Sequence, residues 1–597
     1  MNMRLQRGML PILLATAIVS QGASAAPTDA AAPAAAADAQ LRALYEAEWA
    51  WSLKDQGFVP DGDGGYTSGV SLPRVDAASQ QRRIAHWQDT LTKLRRIPLA
   101  QLSAEERINA EVLRTLLEGS LSDGKYRTWE MPFNSDSSFW TYLDEPRALR
   151  TAEQYRRYIA RMRDVPRFFD EQIANMRTGL ARGFSVPRSA IEGRDASIGG
   201  FATKSPEDSP FYAAFKQMPR GIPKAEQAQL RADARAAIET AVTPAYTRLL
   251  DFYRTQYLPR TRTSISVGEL PDGAAFYRAE IRKYTTLDVS PEEVHRIGLA
   301  EVARIDAEMR KTMRDSGFKG SFADYLHFLK TDPQFYAKSG EELMMFSAHV
   351  VNRVNGKLGD TIGLLPRRRF SVVPVAPALA PFYTAGRGGL ETCQMNTYDL
   401  PSRPLYNIPA LTLHECSPGH SLQAALADER TDMPAFRRSA YFSGFGEGWG
   451  LYCEWLGEDM GIYRTPYERF GRLSYEMWRA ARLVIDTGIH TKGWSRQQAI
   501  DYLAGHTALS QHEVETEVDR YISWPGQALA YKLGEMTILR LRHQAEAALG
   551  PKFDQRKFHD VILGLGSVPL PLLEDQIARF IAENGAAPAP AGGTAAS

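Results

Sequence analysis

Residues 414–420 read His414-Glu415-Cys416-Ser417-Pro418-Gly419-His420, and Gly444-Phe445-Gly446-Glu447-Gly448-Trp449 follows about one helix and a turn later. Two imidazoles, an adjacent carboxylate and a second carboxylate downstream are the donor set of a hydrolytic zinc site. The chain holds only 11 histidines, yet His414, His420, His490, His506 and His512 all fall within residues 414–512. If the two segments meet at one ion, they must lie on neighbouring helices, and the rest of the architecture has to deliver that meeting.

Two histidines four apart share a helix face, because four residues turn the helix by about 400°. Here the separation is six, which on an undistorted helix sets the second ring about 120° away from the first. Pro418 removes a backbone donor and drives Ser417 out of helical geometry. Gly419 permits an unusual turn. The expectation is a bulge that returns His420 to the face of His414. Glu415, beside a ligand histidine, is then the general base. Glu447 is the third ligand. Glu454, two helical turns further on, either supports a ligand histidine or replaces Glu447.

Outward from this stretch the pattern is mostly helical. Capping signals recur at Ser103–Glu106, Thr151–Gln154, Ser290–Glu293, Ser339–Glu342, Thr465–Glu468 and Ser495–Gln498, with Pro291 and Pro466 at first helical positions. Ile84, Trp87, Leu91 and Leu94 form one apolar stripe, and Val294, Ile297, Val302, Ile305 and Met309 another. Strand candidates are few: 263–267, 369–375 and 390–397. The last two lie just upstream of His414, and 390–397 is the expected edge strand for a substrate backbone, with Asn396 and Tyr383 as substrate contacts. The glycine-rich patch at 61–65 and segment 183–224 read as surface loops, and Arg367-Arg368-Arg369 as a solvated turn.

The first 25 residues read as a secretory signal peptide: Arg4 and Arg7, a short apolar run from Met9 to Val19, and an Ala23-Ser24-Ala25 cleavage site. The run is too short to span a bilayer. No cysteine follows it, so lipid anchoring is not indicated. Residues 26–39 read as a disordered leader and 586–597 as a disordered tail. Between them, 40–585 reads as one catalytic unit with an N-terminal helical lobe over 40–285. A hydrophobic content of 44% suffices for a large core, and the net charge of +1 argues against nucleic acid or an anionic membrane as partner. The localisation expected is secreted or periplasmic. Of the three cysteines, Cys416 and Cys453 would be neighbours if both motifs meet at one ion and could bridge. Two buried free thiols are the plainer reading, and thiolate ligation is a third.

Four motifs in order carry a resemblance. His414 to His420, then Glu447-Gly448-Trp449-Gly450-Leu451-Tyr452-Cys453-Glu454, then Asp486-Thr487-Gly488-Ile489-His490, then Pro525-Gly526-Gln527-Ala528-Leu529-Ala530-Tyr531 resemble the motifs of the bacterial DUF885 family. That family often has a histidine where this chain has Ser421. It is distantly similar to helical glutamate-zincin peptidases of the angiotensin-converting type, whose Gly-Phe-x-Glu ligand segment matches 444–447 and whose downstream Arg-Tyr matches Arg520-Tyr521. The resemblance implies a mainly α fold around a deep cleft, with a small β element beside the metal helix. It implies one zinc ion on His414, His420 and Glu447, and Glu415 as base. Tyr521 is the implied oxyanion donor, with Tyr531 as runner-up and Arg520 and Tyr531 among the substrate-binding residues. His490 is either a stabiliser of the tetrahedral intermediate or a satisfied core histidine. The activity implied is hydrolysis of short peptides. The rival readings are a zinc hydrolase of another amide or ester, and a non-catalytic binding protein of the same fold.

Overall fold

The computed structural model describes residues 31–61, 65–141, 143–144, 149–377 and 380–585. The expected signal peptide and C-terminal tail lie outside the described residues. The fold is mainly α. Its elements include α1 (Ala31–Asp55), α2 (Ala77–Arg95), α3 (Ala104–Tyr126), α4 (Ala152–Arg182) and α5 (Pro291–Asp315). Towards the C-terminus come α6 (Ile408–Glu415), α7 (His420–Glu429), α8 (Ser443–Asp459), α9 (Pro466–Thr491), α10 (Gln511–Ser523) and α11 (Ala530–Leu549).

Local chemistry sets the helix starts. Ser103, Ser290, Ser339 and Thr465 each accept the backbone N–H three residues on. At Thr151–Gln154 and Ser495–Gln498 the capping box is complete, each side chain bonding the other's backbone. The expected leader is corrected at its C-terminal end. Residues 31–39 open α1, because the alanine-rich run favours helix and because Ala37, Leu41 and Tyr45 are buried in the main core, where Tyr45 packs against Phe436.

Two apolar clusters organise the chain. One draws its residues from 72–257, around α4, with Trp140, Phe169 and Tyr246 fully enclosed. The other underlies the histidine motifs and gathers residues from α1 through the C-terminal helices. Two smaller clusters form where α9 packs along α5, whose stripe of Val294, Val302, Ile305 and Met309 is buried as expected. α9 is enclosed from Phe470 to His490 without a break. Yet it carries Arg472, Glu476, Arg479, Arg482 and Asp486 at helical spacing. A buried polar stripe of this kind stands only if each charge finds a partner. Glu476 accepts from Lys532, whose Nζ also reaches Glu535 and Glu301 at 2.6 and 3.1 Å.

β1 (Phe58–Pro60) and β2 (Tyr66–Ser68) form a hairpin. The three-stranded sheet has the order β3 (Ser371–Pro374), β5 (Thr392–Met395), β4 (Gly386–Gly388), with β3 parallel and β4 antiparallel to β5. Two strand expectations thus meet strands, with a change of role. β5, within the 390–397 candidate, is the central strand and has no free edge. β4 is an edge strand and lies beside the histidine motifs. The third candidate, 263–267, is irregular up to the 3₁₀ turn that opens at Val267: the main chain at Arg262 just before it bonds Arg188 N–H and the Ser185 hydroxyl, and among the described residues no strand lies alongside.

The cysteine expectations are also corrected. Cys393 of β5 is bridged to Cys416, with Cα atoms 5.4 Å apart, while Cys453 is free and buried. Cys416 leaves the end of α6 towards the sheet rather than towards α8, so the bridge fastens the sheet to the motif.

Candidate metal centre

α6 ends at Glu415, and a new helix, α7, starts at His420. The expected bulge within one helix is therefore a break between two. Cys416 departs from helical geometry (φ −94°, ψ −87°) and the Ser417–Pro418 peptide is cis. A Cβ on Gly419 would sit 1.8 Å from the His414 carbonyl oxygen, so this close return of the chain requires glycine. The Trp449 indole N–H donates to the Pro418 carbonyl at 2.9 Å and holds the turn from the α8 side. The result places His414 in the last turn of one helix and His420 in the first of the next. Their ring centroids are 4.9 Å apart and their planes nearly perpendicular, at 86°.

α8 supplies the carboxylates. Glu447 Oε2 lies 3.4 Å from Nε2 of His414 and 3.4 Å from Nε2 of His420. Two turns on, Glu454 Oε1 lies 2.8 Å from Nδ1 of His414. A carboxylate only accepts, so Nδ1 carries a hydrogen, and Nε2 is the nitrogen turned to Glu447 and the cavity. One helix face thus grips His414 at both nitrogens. Burial opposes protonation there, but Glu447 and Glu454 together raise the His414 pKa to about 9. Burial pushes the Glu447 carboxyl up, and the two imidazoles overcome it, holding the group well below the usual range.

The donor set fits one ion. One ligand atom each from His414, His420 and Glu447 lies within 4.8 Å of the others. Ligands about 2.0–2.2 Å from a tetrahedral zinc stand about 3.3 Å from one another, close to the 3.4 Å found on both edges to Glu447. Glu454 sits on the far side of His414, in the position of an outer partner rather than a ligand.

These groups open into a cavity of about 1670 Å³, whose wall includes His414, Glu415, His420, Glu447, Arg520 and Tyr531. Glu415 Oε2 accepts the Gly388 N–H of β4 at 2.7 Å. A Cβ on Gly388 would stand 1.9 Å from the Glu415 carbonyl oxygen, so glycine lets the strand edge reach Glu415. Ser421 accepts the Gly389 N–H at 3.1 Å and donates to the Glu415 carbonyl at 3.2 Å, tying β4 to α7.

The other expected site residues fall in different places. Tyr531 is on the cavity wall, its ring 6.3 Å from that of His414 and its hydroxyl accepting from Arg520 Nη2 at 3.1 Å. Tyr383 is also on the wall and donates to Gln394 at 3.0 Å. Tyr521 is fully buried beneath the wall, where its hydroxyl accepts from Trp478 at 2.8 Å and from Arg482 at 3.1 Å. That contradicts its expected role: the side chain of α10 turns towards α9 and not into the cavity. His490 is in the core, with Nδ1 accepting from Val267 N–H at 3.2 Å and Nε2 facing the Tyr521 carbonyl at 3.1 Å, so neither nitrogen is left for a substrate. Asn396 is buried as well. Its amide donates to the Ala380, Tyr383 and Thr384 carbonyls and its Oδ1 accepts from Tyr398 N–H, so it shapes the approach to β4 and does not reach the cavity.

Sequence reasoning missed Tyr441, whose hydroxyl donates to Glu447 Oε1 at 3.4 Å; nothing in its local sequence marks it. It also missed Arg479 and Arg482 on the wall. Their signal was present, in the helical spacing of charges along α9, but such a stripe ordinarily means a solvated face.

A mainly helical chain with two histidines and a glutamate converging on a large cleft defines the class. The family follows from the whole sequence: residues 62–577 match the family described as "Bacterial protein of unknown function (DUF885)", and the chain belongs to that family. Among solved structures it is similar to "the putative lipoprotein from Colwellia psychrerythraea", at 26% identity and a TM-score of 0.83, covering 93% of this chain and 99% of that one. It is also similar in fold to "a putative lipoprotein of unknown function from Shewanella oneidensis", at 17% identity and a TM-score of 0.64, covering 91% and 98%. No curated protein matches the chain.

Proposed function

We propose that this protein is an exported zinc-dependent hydrolase, a metallopeptidase of short peptides. The observation that carries the reading is the convergence of His414, His420 and Glu447 at 3.4 Å contacts, with Glu415 beside them on the same cavity wall. Export is supported by the signal-like first 25 residues and by the naming of both similar structures as lipoproteins. Among the described residues no helix is long and apolar enough to cross a membrane.

When bound, zinc would polarise the scissile carbonyl and bring the pKa of its water to about 7. The chain's own groups do the rest. Glu415, held at Oε2 by the Gly388 amide, takes the proton of the attacking water and returns it to the leaving nitrogen. Glu454 fixes the His414 tautomer, keeping Nε2 a donor of its lone pair. Tyr531 spends its oxygen on Arg520 and keeps its own hydrogen for the carbonyl oxygen as charge develops there. β4, as the edge strand beside these residues, offers an extended substrate a backbone to run along.

Metal analysis of the purified protein, paired with digestion of a peptide library and a panel of small amides and esters, tests this. Near-stoichiometric zinc with peptide cleavage is the expected result. Zinc with cleavage of the small amides or esters alone transfers the site to a non-peptide hydrolase. Failure to bind zinc on dialysis against it leaves a binding protein of the same fold.

A further inference from the structure

A closed ring of bonds runs through Glu415. Its peptide bond leads to Cys416, Cys416 is bridged to Cys393 of β5, and Cys393 is paired across the ladder with Gly388 of β4. Gly388 N–H completes the ring by donating to Glu415 Oε2 at 2.7 Å. The bridge thus ends directly opposite the strand residue that holds the carboxylate. Gly388 is seated tightly there: a Cβ on it would stand 1.9 Å from the Glu415 carbonyl oxygen and 2.8 Å from Cβ of His420.

The sheet needs an outside hold. β4 has three residues and β5 four, and ladders this short are marginal by themselves. Two hydrogen bonds, Gly388 to Glu415 and Gly389 to the Ser421 hydroxyl at 3.1 Å, join β4 to the motif. Glu415 lines the cavity, where water and substrate compete for its oxygens. The disulfide is the fastening they cannot displace. The metal ligands are supported separately, from α8: Trp449 donates to the Pro418 carbonyl and Glu454 faces Nδ1 of His414. Opening the bridge therefore leaves those supports in place and frees β4 from Glu415.

We propose that the Cys393–Cys416 bridge is a positioning device for Glu415, and that the hydrolytic site is complete only in the oxidised chain: closing the bridge seats β4 against the base. This rests on the reading of Glu415 as the general base of a hydrolase. Closure is a two-electron oxidation by thiol–disulfide exchange with a disulfide oxidant. One cysteine thiolate attacks the oxidant and forms a mixed disulfide. The other displaces it, the S–S bond of the protein forms, and the oxidant leaves as its dithiol with the two protons the cysteines gave up. Such oxidants act outside the reducing cytoplasm, so an exported chain is synthesised inactive and becomes competent where it is delivered. Both cysteines are fully enclosed. The bond is therefore set once, while the chain folds, and is a latch rather than a reversible sensor.

The Cys393→Val/Cys416→Ala double variant removes the bond, refills the space of the sulfurs and alters no proposed ligand or base. Its kcat on a cleaved peptide is expected to fall about 10²-fold, the scale of a misplaced reacting group, while it stays folded and binds zinc as the wild type does. Amide hydrogen exchange at Gly388 and Gly389 should rise by about tenfold or more, with α8 unchanged. Cys453→Ala, which removes the free thiol, should do none of this. Wild type purified in reduced form is the second measurement, and it decides the matter if the double variant fails to fold. Its activity should appear as two of its three thiols are lost to oxidised glutathione. Full activity before that loss, or a double variant within a few-fold of wild-type kcat, overturns the proposal. Zinc lost together with kcat overturns it as well, because the bridge would then hold the ligands and not the base. A wild type that cleaves nothing overturns the hydrolase reading, and exchange at Gly388 and Gly389 still decides whether the bridge seats β4 on Glu415.

Discussion

His414 and His490 are equally withdrawn from solvent, with 1% and 3% of their surface exposed, yet they hold protons in opposite ways. At His414 two carboxylates of α8 outweigh burial and the pKa rises to about 9. At His490 burial dominates, only the Tyr521 carbonyl raises it, and the pKa falls to about 3. Burial alone therefore says nothing about whether a histidine works. What each nitrogen faces decides. His414 turns Nε2 to Glu447 and the cavity, whereas His490 uses both nitrogens to join the 266–268 loop, α9 and α10.

The sharpest way to break this contrast is to disable each region in turn. Glu415→Gln should lower kcat by about 10²–10⁴ while zinc content and Tm stay at wild-type values, because the amide keeps the shape of the group held by Gly388. His490→Gln should do the reverse, with kcat retained within a few-fold and a lower Tm. Comparable loss of kcat from both would put His490 in the chemistry and end the distinction.

The two tyrosines divide the same way. Tyr531→Phe is expected to cost about 10²–10³ in kcat, the usual loss of one oxyanion donor, with little change in Tm. Tyr521→Phe removes the acceptor of two buried N–H groups, from Trp478 and Arg482. It should destabilise the protein by about 1–3 kcal/mol and leave kcat within a few-fold. A kinetic loss confined to Tyr521→Phe would return the oxyanion role to α10.

A finer cut separates ligand from support within α8. Glu454→Gln should weaken zinc binding by about 10–100-fold, read by competition with a chelator, and leave the three ligands in place. Affinity equal to wild type would show that the acidic partner on Nδ1 contributes nothing, and that the grip on His414 rests on Glu447 alone.

Much of this was legible in the residue string. Capping residues and apolar stripes marked the helices, and the residue types at 414, 420 and 447 marked three side chains that the fold brings together, because metal chemistry restricts donor types severely. Three things were not legible, for physical reasons. The break between α6 and α7 depends on a return of the chain that one proline and one glycine permit but do not dictate. The pairing of Cys393 with Cys416 depends on where a four-residue strand lies, and strands this short leave little pattern. Arg479 and Arg482 sit on a stripe whose spacing is the same whether it faces water or a cavity, since periodicity reports a face and not what the face meets. Tyr521 was misplaced by analogy: adjacent Arg520 and Tyr521 point to different sides of α10, one into the cavity and one into the core.

Acid offers the smallest and cleanest test of the contrast. An unfolded His490 has its ordinary pKa near 6.5, against about 3 in the fold. Above pH 6.5 both states are neutral, so the residue favours neither. Between 6.5 and about 3 the unfolded chain takes up a proton that the folded chain refuses, and stability falls as pH falls, by at most about 1.4 kcal/mol per unit. Asp486, one turn away on α9, works in the opposite sense. Burial, only partly offset by Tyr277 and the Gly526 amide, raises it to about 7 from an ordinary 3.8. The stability it contributes is complete below pH 3.8 and is lost as pH rises through about 7. Across pH 4–6 the two contributions run against each other, and denaturant unfolding of single variants separates them. His490→Gln should make stability decline less steeply with acid, and Asp486→Asn should make it decline more steeply. If His490→Gln left the slope unchanged, the imidazole would be protonated within the fold, and the difference between the two histidines would lie in their surroundings but not in their charge.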